Sequence, residues 1–398
     1  KKLVIWDQDH EPNLNDQILL WNSYDEKNDQ RSILRILEKN SDQIRSHYLS
    51  FIANLSKINF KNKSIIEHLI IDGDFSLWWM SLLAEKGTLK SKTPLNCLKI
   101  LSLNKILMEE KINCVQLISN ERVLADSIFL LCKNLNIVCH WEKTGSSFYK
   151  FSIRIFRKKI PHVLQAFTFF EKNIFIKWSL RNSRNTNWFS GKNSILFFSY
   201  FLNFDFNLLK KGNFLSKYWN DLPALIKKNH KRINWLHHFM VSDNISNAKI
   251  GNKYLINLNN NLKKLDHHNF LYSFISPIIV FKTFTMWIQF IIKGILLNNL
   301  FYKEVLKLNN GWLTPFIIDD WKNSLYGKIA IQNILWVYLL EKSISTLPKQ
   351  KKGLYLCENQ GWERGFIYFW KKYGHGELIG VAHSGIRYWD LRYFDDPQ

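Results

Sequence analysis

The stretch 354-LYLCENQGWERGFIYFWKKYGHGELIGVAHSG-385 decides the fold class. Leu354 to Cys357 is an apolar run of strand length that ends on Glu358, Asn359 and Gln360. An amphipathic helix follows, in which Trp362 and Trp370 are placed to pack onto a sheet. A second strand, Leu378 to Ala382, then delivers His383 and Ser384. Strand, polar tip, helix, strand, polar tip is the grammar of an α/β domain that handles nucleotides or sugars. In such domains the functional groups collect at the carboxyl ends of parallel strands.

Working outward, the same alternation fills residues 1–142, which read as an N-terminal α/β domain with a parallel sheet. Strands are expected at Leu3–Trp6, ending on Asp7, at His68–Ile71, ending on Asp72-Gly73-Asp74, at Cys114–Ile118 and at Ile137–His140. Helical spacing covers Arg31–Leu55, Ser76–Lys86 with Ser76 as its cap, Leu95–Glu110 and Arg122–Leu135. Residues 143–193 read as a basic, aromatic connector. A second α/β domain occupies 194–398, with strands at Ser194–Tyr200 and Ile233–Met240 and a helix at Tyr218–Lys228. Asn244 to Asn261 reads as a polar loop or insertion, and Ile329–Leu347 as an amphipathic helix.

Within that domain, 268–302 is an apolar helical insertion. Lys282 and Lys293 cut Phe270–Phe301 into pieces shorter than the roughly 20 apolar residues that span a bilayer. It is either a buried helical hairpin or an interfacial helix pair, with Trp287 at headgroup level and the lysines snorkelling.

Composition bounds the partners. At 46% hydrophobic and 22% charged residues the chain is globular, not disordered. The net charge of +22 is uneven: Lys143 to Lys192 carries eleven Lys or Arg against the single acid Glu171. Such a block suits anionic lipid headgroups or a lipid-linked pyrophosphate. Zinc-finger spacing, RNP-type aromatics and a dimeric basic helix are all missing, which argues against nucleic acid. The five cysteines form no CxxC pair and read as free thiols in a reducing compartment.

The candidate residues each carry an ordinary structural reading beside the chemical one. Glu358, where a strand gives way to a helix, can act as a base, bind sugar hydroxyls or cap that helix. Asn359 and Gln360 share its position. His383, reached through Gly380-Val381-Ala382, can donate to a phosphate or a hydroxyl, or can be a loop histidine bonded in place. Small residues there let the backbone approach a ligand, and Ser384 and Arg387 add anion-binding capacity. Asp72 and Asp74 suit a metal and sugar nucleotide, or a turn followed by a helix cap. Arg122 follows another strand and can line the same edge. His237 and His238 point to opposite faces of a strand, so they cannot share a metal, and no metal site is expected.

The segments DGDFSLWWMSLLAEK, SNERVLA, YWNDLP, NWLHHF and CENQGWERGFIYFWKKYGHGELIGVAHSGIRYWDLRYFDDP together resemble a bacterial surface carbohydrate biosynthesis family associated with O-antigen gene clusters. The order strand, Glu, helix, strand, Gly-x-x-His also looks like the first Rossmann-like domain of two-domain GT-B glycosyltransferases. The resemblance implies Rossmann-like parallel-sheet domains, with Glu358 and His383 facing an interdomain cleft. Where that pattern has Gln-His-Gly, this chain has Ala382-His383-Ser384. It further implies a C-terminal donor-binding domain beyond Gln398, so that the chain lacks it. The implied activity moves a sugar from a nucleotide donor to a lipid-linked glycan. It implies no cofactor, and places the protein in the cytoplasm against the inner face of the cytoplasmic membrane. The alternatives are a non-catalytic carbohydrate-assembly protein and an epimerase-like sugar-nucleotide enzyme.

Overall fold

The computed structural model describes residues 1–12, 16–27, 30–144, 161–191, 193–229, 231–260 and 265–396. Two compact units share the chain. The first comprises Lys1–His162, Ile292–Leu325 and Tyr388–Gln398; the second comprises Val163–Ile291 and Tyr326–Arg387. Both units are therefore discontinuous, which boundaries at 142 and 193 do not provide. Of the expected connector, 145–160 and 192 lie outside the described residues, and from Val163 onward its described part belongs to the second unit.

The first unit holds a five-stranded sheet built from β1 (Lys2–Trp6), β2 (Ile18–Leu20), β3 (Gln30–Ser32), β8 (Cys114–Ile118) and β9 (Val138–Glu142). Between β3 and β8 lie two short hairpins, β4 (Asn59–Phe60) with β5 (Lys63–Ser64), and β6 (Ile70–Asp72) with β7 (Phe75–Ser76). The sheet order is β3-β2-β1-β8-β9, and every pair is parallel. Val4, Trp6, Ile18, Leu20 and Ile118 form a core cluster on it. The stretch expected as one helix from Arg31 begins instead with β3 and breaks at Asn40 into helices Ile33–Lys39 and Ser41–Lys57.

The second unit holds β10 (Ser194–Phe201), β11 (Arg232–Phe239), β12 (Asp266–Phe270), β13 (Lys352–Leu356) and β14 (Glu377–Val381). Its order is β12-β11-β10-β13-β14, again parallel throughout. Numbered within its own sheet, each unit reads 3-2-1-4-5, the order of a Rossmann-type sheet. The α/β class with parallel, Rossmann-like sheets is thus what the chain adopts. A strand buried on both faces reads as a near-continuous apolar run, and Ser194–Phe201 (SILFFSYF) is one, with only the buried Ser194 and Ser199 and the tyrosine Tyr200 carrying hydroxyls. Ile195 and Phe197 pack with Trp219, Trp235, Leu354 and Leu356. Phe198 meets Trp362 and Phe366 of helix Gly361–Lys372, with ring centroids 4.8 Å apart in each case.

Four expectations for residues 244–302 are corrected. The polar segment after Asn244 contains a helix, Ala248–Asn259, whose cap is the Asn247 side chain accepting from the Ile250 N–H at 3.0 Å. Residues 268–270 belong to β12, not to a helical insertion. The apolar stretch is no hairpin but a single 30-residue helix, Pro277–Leu306, which passes from the second unit to the first after Ile291. By length and composition it is long and apolar enough to cross a membrane, with 28% of that window buried. Trp287 is not a headgroup anchor: it is buried and donates to the Tyr326 carbonyl at 2.8 Å. Lys293 donates to the His68 carbonyl at 3.1 Å.

Candidate functional site at the carboxyl edge of the second sheet

In a 3-2-1-4-5 sheet the chain turns in opposite directions from strands 1 and 4, and a crevice opens at their carboxyl ends. In the second unit those strands are β10 and β13. The ladder continues one residue past the β13–β14 pairing, with the Cys357 N–H bonded to the Val381 carbonyl at 2.9 Å. The next residues off each strand are therefore delivered side by side. His383 Nε2 lies 3.3 Å from Glu358 Oε1, and their side chains are 19% and 22% exposed. The two groups are thus shielded but reachable.

Glu358 is available for this because it does not cap the helix that follows. That role falls to Glu363, which is 1% exposed. Its Oε1 accepts from the Glu358 and Gln360 backbone N–H groups at 3.0 Å each, and its Oε2 from that of Asn359 at 3.1 Å. Asn359 holds a left-handed φ of +53°, a conformation Asn tolerates better than most residues. It lets three successive N–H groups converge on one carboxylate. Burial, the largest influence, raises the Glu363 pKa to about 7 against those three bonds. Solvent exposure or pairing with Arg364, natural for a glutamate one turn into a helix, is not what the fold selects.

Tyrosines complete the edge. Tyr200, near the end of β10, shares its hydroxyl with Glu358 Oε2 at 3.4 Å and accepts from Gln360 Nε2 at 3.0 Å. Gln360 Nε2 also donates to Glu358 Oε2. Burial and then the Glu358 charge hold the Tyr200 phenol protonated well above its usual range. Tyr218 meets the His383 ring edge-on at 5.0 Å, and its own pKa is raised by burial and by Glu358. His383 Nδ1 is buried and has no hydrogen-bond partner among the described residues. A carboxylate, an imidazole with a free ring nitrogen and two neutral phenols can move one proton and bind hydroxyls.

The other predicted residues are distributed unevenly. Asn359 and Gln360 act on this edge through backbone and side chain, as described. Ser384 and Arg387 are exposed, with no polar contact to Glu358 or His383. Gly380 is not a ligand approach: a Cβ there would sit 2.8 Å from Tyr355 Oη, so the glycine admits a tyrosine of the neighbouring strand. Asp72, Asp74 and Arg122 belong to the first unit. Asp72 ends β6 of an antiparallel hairpin, and its sequence neighbours Gly73 (φ +51°) and Asp74 form the turn. That segment is therefore not a strand of the parallel sheet. Arg122 is 83% exposed and pairs with Asp126 along its helix at 3.7 Å.

Sequence reasoning missed Tyr200 and Glu363. Tyr200 carries the one hydroxyl-tipped ring in a mostly apolar run, and Glu363 stands three residues after the helix cap, a spacing that favours backbone capping. Of the expected histidine behaviour, His237 and His238 do face opposite ways. His237 stacks with Trp235 and bonds His268 at 3.1 Å, while His238 stacks on Phe198. Among the described residues no group of three His, Cys, Asp or Glu could hold a metal.

The equivalent edge of the first sheet, after β1 and β8, holds a hydrogen-bonded network. Asp7 accepts from Ser119 Oγ and from Asn22 Nδ2, each at 2.6 Å, and Lys99 donates to Asn22 Oδ1 at 2.9 Å. Burial raises the Asp7 pKa and lowers that of Lys99 to about 8. Neither β1 nor β10 is followed by the glycine-rich turn of a dinucleotide site: the residues are Asp7-Gln8-Asp9-His10 and Leu202-Asn203-Phe204-Asp205.

No family model matches the chain, and neither a curated protein nor a solved structure does.

Proposed function

We propose that the protein is a glycosyltransferase of GT-B-like architecture in bacterial surface polysaccharide assembly, moving a sugar from a nucleotide donor to a lipid-linked glycan at the cytoplasmic membrane face. The observation that carries the reading is the Glu358–His383 pair, 3.3 Å apart at the carboxyl edge of a parallel sheet. In the proposed step an acceptor hydroxyl oxygen attacks the anomeric carbon as the bond from that carbon to the nucleotide phosphate oxygen breaks. The hydroxyl proton passes to Glu358. His383, oriented by Glu358, and Arg387 meet the charge that develops on the departing phosphate. Tyr200 and Tyr218 offer hydroxyls and ring faces to a sugar.

The parallel 3-2-1-4-5 order of the second unit's sheet is compatible with its being one Rossmann-like domain of such an enzyme. The absence of glycine after β1 and β10 speaks against the epimerase-like alternative, which needs a tightly held dinucleotide. The test is glycan synthesis in cells producing Glu358→Gln or His383→Ala protein. Each change is expected to abolish it. Synthesis at the normal level with both changes present sinks the catalytic reading, and retained sugar-nucleotide binding without any turnover in the unaltered protein would favour a non-catalytic assembly role.

A further inference from the structure

A groove of about 1300 Å³ lies wholly within the second unit, away from the residues of the Glu358 edge. It runs between helix His162–Lys177 and the first turns of helix Pro277–Leu306, beside the 3₁₀ segment Trp178–Ser183 and the start of helix Ala248–Asn259. Phe167, Phe170, Ile174, Val280, Phe281 and Phe284 make its wall apolar. Folded proteins do not normally leave such rings to water: Phe281 is 68% exposed, and Phe175 on the same wall 84%. The volume exceeds the ~300–1,000 Å³ of ordinary small-ligand sites.

The rim is mainly cationic. Arg181 and Lys249 line it, Lys172 and Lys282 stand one residue from lining positions, and Glu171 is the one acid in the lining. Arg181 lies against the Trp178 ring at 4.7 Å, and neither it nor Lys249 has an acidic partner among the described residues. The outer face of the same long helix continues apolar through Ile278 and Ile288. An apolar trough under an unpaired cationic rim is complementary to a molecule with a hydrocarbon chain and an anionic head. A second copy of the chain, itself at +22, would bring like charge to this rim.

We infer that the groove takes the hydrocarbon chain of an anionic, phosphate-headed membrane lipid, whose head is held by Arg181 and Lys249. This rests on the membrane-associated part of the proposal above and gives it an address. Chain burial adds to headgroup attraction, so the two contributions can be separated.

The experiment uses the full chain with phosphatidylcholine vesicles containing phosphatidylglycerol. The vesicles are doped with a phosphatidic acid bearing a diazirine at the end of one acyl chain, and adducts are mapped by mass spectrometry. Expected are adducts on the peptides carrying Phe167 and Phe281–Phe284. Val280→Trp, which fills the trough, should lose them by about tenfold while still binding anionic vesicles. Arg181→Ala with Lys249→Ala should weaken vesicle binding by roughly tenfold or more, since each basic group near an anionic surface contributes about fivefold. Retention of the melting temperature shows that these surface variants fold. The inference is overturned by adducts scattered over the chain, by adducts unchanged in Val280→Trp, by equal binding to pure phosphatidylcholine, or by a dimer that Phe281→Ser dissolves. Capture of an acidic protein in place of lipid overturns it equally. Glu358→Gln should crosslink as the unaltered chain does, so a failed groove and a failed catalytic reading give different results.

Discussion

The two sheets share one strand order, yet their carboxyl edges are finished in opposite ways. After β1 and β8, Asp7, Ser119, Asn22 and Lys99 are joined in one hydrogen-bonded chain, and Ser119 Oγ also accepts from the Glu121 N–H. After β10 and β13, the bonding demand of the turn is met by Glu363, buried beneath it, and the more exposed Glu358 and His383 face each other. Topology determines where a crevice can form. Which side chains satisfy the backbone there determines whether polar groups are left for a ligand. Burying a carboxylate is costly, and burial accordingly pushes the Glu363 pKa up against the three N–H bonds that offset it.

The largest expected contrast is in activity. On the proposed reading, Glu358→Gln or His383→Ala lowers sugar transfer by about 10²–10⁴-fold, the range for loss of a positioned acid or base, while Asp7→Asn at the other edge leaves it within a few fold. Radiolabelled donor incorporation measures both, and equal losses at the two edges would erase the distinction drawn here.

The cores beneath the edges come next. Trp235, stacked on His268 and tilted against Phe197 in the second unit's aromatic cluster, should cost about 3–5 kcal/mol when replaced by alanine. Ile18→Val, in the aliphatic cluster of the first unit, should cost about 0.5–1.5 kcal/mol. Denaturant melts of each variant give the comparison directly.

Glu363 provides a pH test. Its folded pKa of about 7 stands above the ordinary 4.5, so the folded state favours the protonated form. The stability tied to it is complete below about pH 4.5 and lost as the pH rises through about 7. The swing is on the order of 3 kcal/mol. Glu363→Gln should flatten the stability profile across that window. It should also loosen the Glu358 turn, because an amide has a single acceptor oxygen for three N–H groups. An unchanged profile would mean that the carboxylate is not buried as described.

The smallest effect belongs to the first edge. Asp7→Asn keeps one acceptor and loses a charge that burial already disfavours, so the expected stability change is about 1 kcal/mol or less. A loss of several kcal/mol would show that the network depends on the Asp7 charge.

Much of the parallel sheet was legible because its central strands are continuous apolar runs. Ser194–Phe201, Cys114–Ile118 and Leu354–Leu356 announce themselves, although Ser194, Ser199 and Gln116 interrupt the first two. The outlying strands do not. Ile18–Leu20 and Gln30–Ser32 are three residues each, too short to show a period. Asp266–Phe270 reads DHHNF, and it is a strand because Asp266 is paired with Lys227 at 2.8 Å and His268 is packed in a ring cluster. Asp72-Gly73-Asp74 looked like a strand tip because a hairpin turn and a crossover turn use the same residues.

The sequence by itself determined that the chain is α/β, that its buried strands lie parallel, and that polar residues sit where strands run out. Those properties are local: they follow from period, from apolar run length and from turn chemistry within a few residues. Only the tertiary structure decided that both sheets have one order, that the units are discontinuous, and that Glu358 meets His383 while Asp72, Asp74 and Arg122 belong to the other unit. Strand neighbours are chosen by long-range pairing and by competition for burial, and neither is written in the spacing of residues along one segment.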